Sequence, residues 1–273
     1  MLRRLRPLAC LLAAFTLACV ALTAAAEEHA AGGLARIVSS GTLRVGMSGS
    51  QPPLNFKNKS GDIVGLEVDT ARALAGLMGA KLQIVEKPFA ELLDALAAGQ
   101  VDVVMSGMTT TPERSLRAAF VGPYYLSGKS ILTRSATLAQ ADDLTDLNQA
   151  TLKLAALEGS TSEQFARTML PKASLVTTKD YDEAVKLLLA DKVNALVADR
   201  EILVLTAFLY PKEMLATLPE PLTIEPIGIA VPVDDAAFVH YLQNAMAALE
   251  ASGVLSTVRS HWLERNDWVR QLP

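Results

Sequence analysis

The chain has almost no cysteine: of its 273 residues only Cys10 and Cys19 carry a thiol, and both fall within the first 26. A chain that loses that stretch has no disulfide, no thiol nucleophile and no cysteine-ligated metal, so its stability must come from an apolar core. Histidine is nearly as scarce. His29, His240 and His261 stand in no metal-ligand spacing with acids, and no serine sits in a nucleophile elbow, so neither metal nor cofactor is expected. Basic residues are unclustered and outnumbered, 25 Lys and Arg against 29 Asp and Glu, which argues against nucleic acid. Beyond the N-terminus no apolar run is long enough to span a bilayer. Internal repeats and low-complexity tracts are also missing there.

What is present starts at the N-terminus. Arg3, Arg4 and Arg6 precede an apolar run from Leu8 to Ala26 that ends in three alanines before Glu27. That pattern reads as a secretory signal peptide over 1–26, cleaved near Ala26. Cys19 follows Thr16-Leu17-Ala18, without the leucine usual three places before a lipidated cysteine. Soluble export is therefore the expectation, with anchoring through Cys19 as the alternative. The mature chain keeps 22 basic residues against 29 acidic ones and is long enough for two lobes with separate cores.

Thr42 to Met47 reads as a strand, and Gly65 to Gly79 as a helix with Val68, Ala71, Ala75 and Met78 on one face. Lys81 to Glu86 is a second strand. Phe89, Leu92, Leu93, Leu96 and Ala97 then repeat at helical spacing before Gly99, and Val101 to Ser106 is a β-branched strand. After the crossing segment Tyr124 to Gly128 a second series begins. It has strands at Ser130–Arg134, Leu152–Leu157, Ser174–Val176 and Asn194–Ala198, with helices opening at Ser160 and spanning Asp182–Leu189. An extended stretch from Pro219 to Val231 precedes two amphipathic C-terminal helices. The alternation predicts an α/β chain of two lobes, each a mostly parallel sheet flanked by helices, joined by a two-segment hinge. The expected boundaries are 34–125 with 228–273 for the first lobe, 129–223 for the second, and 126–128 with 223–227 for the hinge. Ligands of such folds sit at the carboxyl ends of the strands.

Three polar clusters stand at those ends. Ser106, Gly107 and Thr109 follow a buried strand and offer hydroxyls and free backbone groups, while Arg114 offers a planar fork suited to a carboxylate. Thr111 with Pro112 also reads as a plain helix start. Ser160 and Thr161 lie between strand and helix, where N–H groups favour an anion, although a serine cap without ligand explains the same residues. Asp199 ends a strand and suits an ammonium group, or caps the next helix.

Several motifs, in order, resemble the periplasmic amino-acid-binding proteins of ABC importers, the family-3 extracellular solute-binding proteins. They are Gly41-Thr42-Leu43-Arg44-Val45-Gly46, Pro52-Pro53-Leu54, Val64-Gly65-Leu66-Glu67-Val68-Asp69, Ser106 to Arg114, Gly122-Pro123-Tyr124-Tyr125, Glu158-Gly159-Ser160-Thr161 and Glu225-Pro226-Ile227-Gly228. The resemblance implies that Arg114 and the Ser160–Thr161 region bind a ligand α-carboxylate, that Gly107, Thr109 and Asp199 bind the α-ammonium, and that Phe89 packs on the ligand side chain. Its implied partners are a small amino-acid-like ligand and an ABC-importer permease, with a sensor or receptor as the alternative; a monomer is expected. The chain departs from the pattern at Gln51, where an aromatic is common, and at Leu54, Glu158 and Ile227.

Cyclohexadienyl dehydratases share this fold and resemble the chain at both of its ends. The resemblance places their proton-donating acid three residues after the aspartate that is Asp199 here. Ile202 fills that position and Glu201 is one residue out of register, about 100° around a helix. A binding protein rather than an enzyme is therefore expected, one whose lobes close on a ligand bridging Arg114 and Thr109 to Thr161 and Asp199.

Overall fold

The computed structural model of the chain describes residues 32–141 and 143–272. The expected signal segment, both cysteines and His29 lie outside those residues.

The first series runs α1 (Gly33–Ser40), β1 (Thr42–Met47), β2 (Ser50–Gln51), β3 (Asn55–Lys57), β4 (Ile63–Val64), α2 (Leu66–Leu77), β5 (Lys81–Glu86), α3 (Leu92–Ala97), β6 (Val103–Val104), α4 (Pro112–Ser115) and β7 (Ala118–Ser127). The second runs β8 (Lys129–Thr133), β9 (Lys153–Leu157), α5 (Thr161–Met169), β10 (Ser174–Thr178), α6 (Tyr181–Leu189), β11 (Ala195–Asp199), α7 (Arg200–Leu209) and β12 (Ala216–Thr217). The chain returns through β13 (Glu225–Pro232) to α8 (Ala236–Ala251) and α9 (Val254–Arg259).

Two five-stranded sheets result, in the orders β5-β1-β6-β13-β7 and β10-β9-β11-β8-β12. In the first, β1 pairs in parallel with β5 and β6, while β13 runs antiparallel to β6 and β7. Four strands thus share a direction and β13 opposes them. The second sheet repeats the scheme with β8 as the opposed strand. β7 leaves the first sheet at Ser127, β8 enters the second at Lys129, and Ser127 pairs with Glu225 at the start of β13. The outgoing and returning chains are therefore hydrogen-bonded neighbours.

Helical periodicity decides what each helix buries. In α2 the apolar repeat buries Leu66, Val68, Ala71, Leu74 and Ala75, with Glu67 and Asp69 in its first turn where the helix dipole favours acids. In α8, opened by Asp235 accepting from Phe238 N at 3.0 Å, the repeat buries Phe238, Leu242, Ala245, Met246 and Leu249. Each large apolar side chain so buried contributes about 1.5–3 kcal/mol. These residues form one core with Val45, Val103 and Ile229 of the first sheet. Ile131, Leu154 and Val197 of the second sheet pack on Phe165 and Leu170. A third cluster joins Leu92 and Val104 from the first series to Leu157, Leu196 and Ile202 from the second, so apolar contact is continuous between them.

The expected strand over Val101–Ser106 keeps ladder pairing only at Val103–Val104. The backbone leaves the ladder there to form the wall of a cleft. Tyr124–Ser127, expected as part of a crossing, continues a ten-residue strand.

Candidate functional site

β6, β9 and β11 deliver their carboxyl ends to one cleft between the two sheets. Thr109 Oγ1 lies 3.3 Å from Thr161 Oγ1, and the Arg114 guanidinium bridges the gap, donating from Nη1 to Thr109 O at 2.9 Å and from Nη2 to Gly159 O at 3.1 Å. Gly159, at φ +70°, comes so close to Ala90 that an added Cβ would stand 3.2 Å from its Cα. Residues of the two series thus touch directly across the cleft.

Arg114 is held in place from several sides. Thr111 accepts from Arg114 N at 3.2 Å and Pro112 opens the short helix, which fixes the backbone. Phe89, only 5% exposed, packs in the apolar core, and its ring centroid lies 5.6 Å from the guanidinium carbon of Arg114. Burial lowers the Arg114 pKa to about 10, against the pull of Asp199 and Glu225, which leaves it cationic at neutral pH. Among the described residues its partners are carbonyls, and it makes no ion pair with a carboxylate.

The remaining expected residues divide into two groups. Thr109 and Thr161 face one another across the cleft. Ser106 and Gly107 line its wall, and the Ser106 hydroxyl and the Gly107 N–H are engaged within the protein. Ser106 Oγ accepts from Ser48 N at 2.9 Å and Gln51 Nε2 at 3.1 Å, and Gly107 N donates to Glu67 Oε1 at 2.7 Å. Gly107 sits at φ +60°, and a Cβ there would stand 2.5 Å from Gln51 Oε1, so the tight turn requires glycine. Glu67 also accepts from Tyr124 and Asn55, and burial raises its pKa, so a second acid is buried behind the cleft wall. Ser160 is the cap of α5: its Oγ accepts from Glu163 N at 3.1 Å and donates to Leu157 O at 2.6 Å.

Asp199 holds the N-cap position of α7, but its side chain makes no capping bond. Its Oδ1 accepts from Lys129 Nζ, and that amine also lies 3.5 Å from Glu225 Oε2. Lys129 is 1% exposed. Sequence reasoning missed it, although a lysine opening the apolar strand Ser130–Leu132 was a signal that something anionic must meet it. The cleft therefore has two poles. Among the described residues Arg114 meets no carboxylate, and the Lys129–Asp199–Glu225 cluster sets two carboxyl groups against one amine. Tyr181, also buried, stands close enough to feel Asp199 and Arg114, and burial raises its phenol well above the ordinary value.

Glu201 belongs to neither pole. Its Oε2 accepts from Ser127 Oγ, at the end of β7, at 2.6 Å, and burial beside Asp199 pushes its pKa up to about 8. Ile202 is 1% exposed within the apolar core.

Residues 43–265 match the family described as bacterial extracellular solute-binding proteins, family 3. Over 250 residues the chain is 32% identical to cyclohexadienyl dehydratase of Pseudomonas aeruginosa, covering 91% of this chain and 92% of that protein. It is 27% identical over 226 residues to ABC transporter arginine-binding protein 1 of Escherichia coli, covering 81% and 90%. The structure of an ancestral amino acid-binding protein, a precursor of cyclohexadienyl dehydratase, aligns with a TM-score of 0.77 at 33% identity, over 84% of this chain and 98% of that one.

Proposed function

The chain belongs to the bacterial extracellular solute-binding proteins of family 3, and from that premise we propose that it captures a small zwitterionic solute of the amino-acid class in the periplasm and presents it to an ABC importer. The observation that carries this reading is the Arg114 guanidinium, partly buried, held by two carbonyls and lacking a carboxylate among the described residues. A buried cation so placed favours an anion. The cluster of Lys129, Asp199 and Glu225, with two carboxyl groups to one amine, offers the opposite pole for an ammonium group. Thr109 and Thr161 add hydroxyls from either side.

The lobes we propose are 34–125 with 228–273 and 129–223, turning on the paired segments around Ser127 and Glu225. A ligand touching both poles lowers the free energy of the closed state more than that of the open one, so binding shifts the population toward the shape a permease recognises. Export fits a cleaved signal over 1–26, which leaves a monomeric chain without cysteine. Thermal shift against a panel of amino acids tests the reading, because a ligand bound only by the native state raises the melting temperature with concentration. Absence of any shift across amino acids, with shifts for other solutes, overturns it.

The 32% identity to a dehydratase supports a second reading, an enzyme on the same fold. Ile202 at the place where the resemblance puts the acid favours binding without chemistry.

A further inference from the structure

A second cavity, of about 490 Å³, opens at the hinge and is lined by none of the cleft residues named above. α7 of the second series forms one wall. Tyr125 and the C-terminal segment holding Trp262 and Trp268 form the other. Its size falls within the range of ordinary small-molecule sites. Its rim is apolar and open, with Phe208 60% exposed and Val204 45% exposed.

The polar lining decides the class of occupant. Arg200 and Arg265 both line the cavity. Arg265 is paired with Asp267, whereas Arg200 bonds to the carbonyl of Leu218 at 2.8 Å and has no carboxylate partner among the described residues. The lining acid is Glu201, and its pKa near 8 leaves it mostly protonated at neutral pH. Its Oε2 is held by Ser127 Oγ, and its Oε1 is buried without a partner among the described residues. The unpaired guanidinium of Arg200 favours an anion over an amine, and four aromatic side chains favour a ring.

We propose that this cavity is a second ligand site, for a small aromatic carboxylate, with its ring among Tyr125, Phe208, Trp262 and Trp268 and its carboxylate on Arg200 beside the Ser127–Glu201 pair. The site stands independently of the cleft and of what the cleft binds.

The chain has two tryptophans, and both line this cavity, so indole emission reports on it directly. The purified exported protein is titrated with 3-phenylpropionate as the probe, alongside Arg114→Ala, Arg200→Gln and the cavity-filling Val204→Phe. A saturable emission change is expected in the wild type and in Arg114→Ala. Affinity should be weaker by about tenfold or more in Arg200→Gln, where a charge-assisted contact is lost, and in Val204→Phe, with melting temperatures near that of the wild type. Phenethylamine, with the same ring and the opposite charge, should bind more weakly than the acid. No saturable change at millimolar probe, loss of the change in Arg114→Ala, full affinity in both cavity variants, or an amine that binds as well as the acid would each overturn the proposal.

Discussion

Lys129 Nζ rests on Asp199 Oδ1 at the floor of the cleft, with the two side chains 1% and 5% exposed. Two facts about this pair matter for folding. Neither charge has water to fall back on, and Glu225 at 3.5 Å makes the lysine the counterion of two acids. Replacing Lys129 by Met leaves Asp199 and Glu225 buried together and should cost about 3–5 kcal/mol of stability. Adding Asp199→Asn to that variant removes one of the stranded charges, so the double variant should be more stable than Lys129→Met alone. Urea unfolding of the single and double variants measures the coupling, and additive losses would show that the contact has little energetic weight.

The two poles of the cleft predict different losses. Arg114→Ala should lower affinity for the bound solute by about 2–5 kcal/mol, because it strands the ligand anion and frees the carbonyls of Thr109 and Gly159. Asp199→Asn leaves the second pole neutral and should weaken solutes that carry an amine far more than analogues that lack it. Calorimetry with a matched pair, an amino acid and its deaminated analogue, reads the difference. Equal losses for both would remove Asp199 from ammonium recognition.

Stability should fall as pH rises from about 4.5 to about 8. Glu201 and Glu67 both hold their protons more tightly folded than unfolded, because burial disfavours the charged carboxylate, and Asp199 adds to the effect on each. Between the unfolded value and the raised folded value the native state binds more protons. Their contribution is thus fully present below the unfolded pKa and is lost as pH climbs through the folded one. For Glu201 that window closes near pH 8. Thermal melts across this range should show the decline, and Glu201→Gln should flatten it. An unchanged slope in that variant would assign the dependence elsewhere.

Much of this architecture was legible in the sequence because it follows from periodicity. The α2 and α8 stripes, the β1 and β5 strands and the Thr111-Pro112 and Ser160 helix starts are local facts, and local chemistry reports them. The place of Arg114 at the cleft was legible too, because it follows directly on the polar turn after a buried strand, whereas the two carbonyls it holds were not. The bonds that occupy Ser106 and Gly107 were not, because Gln51 and Glu67 reach them from 55 and 40 residues away. Lys129 and Asp199 are 70 residues apart, and only the antiparallel register of β8 on β11 makes them opposite neighbours. Partners brought together by sheet pairing leave no trace in local spacing.

Prephenate and arogenate should emerge unchanged from incubation with the protein, whether or not they bind. The dehydratase resemblance requires an acid facing the leaving hydroxyl three residues after Asp199, and the side chain there is Ile202, sealed in the apolar core with Leu157 and Leu196. Glu201 has a suitable pKa, near 8, but the wrong direction: it faces Ser127 and the hinge-side cavity. A general acid needs hydrogen-bond reach to its proton acceptor before its pKa matters. Spectrophotometric assay of aromatised product, with binding followed separately by calorimetry, distinguishes a silent complex from a catalyst. Turnover above about 1 s⁻¹, the low end of ordinary enzymes, would mean that another acid reaches the cleft, with Glu67, buried behind the wall at Gly107 and raised in pKa by that burial, the first to replace.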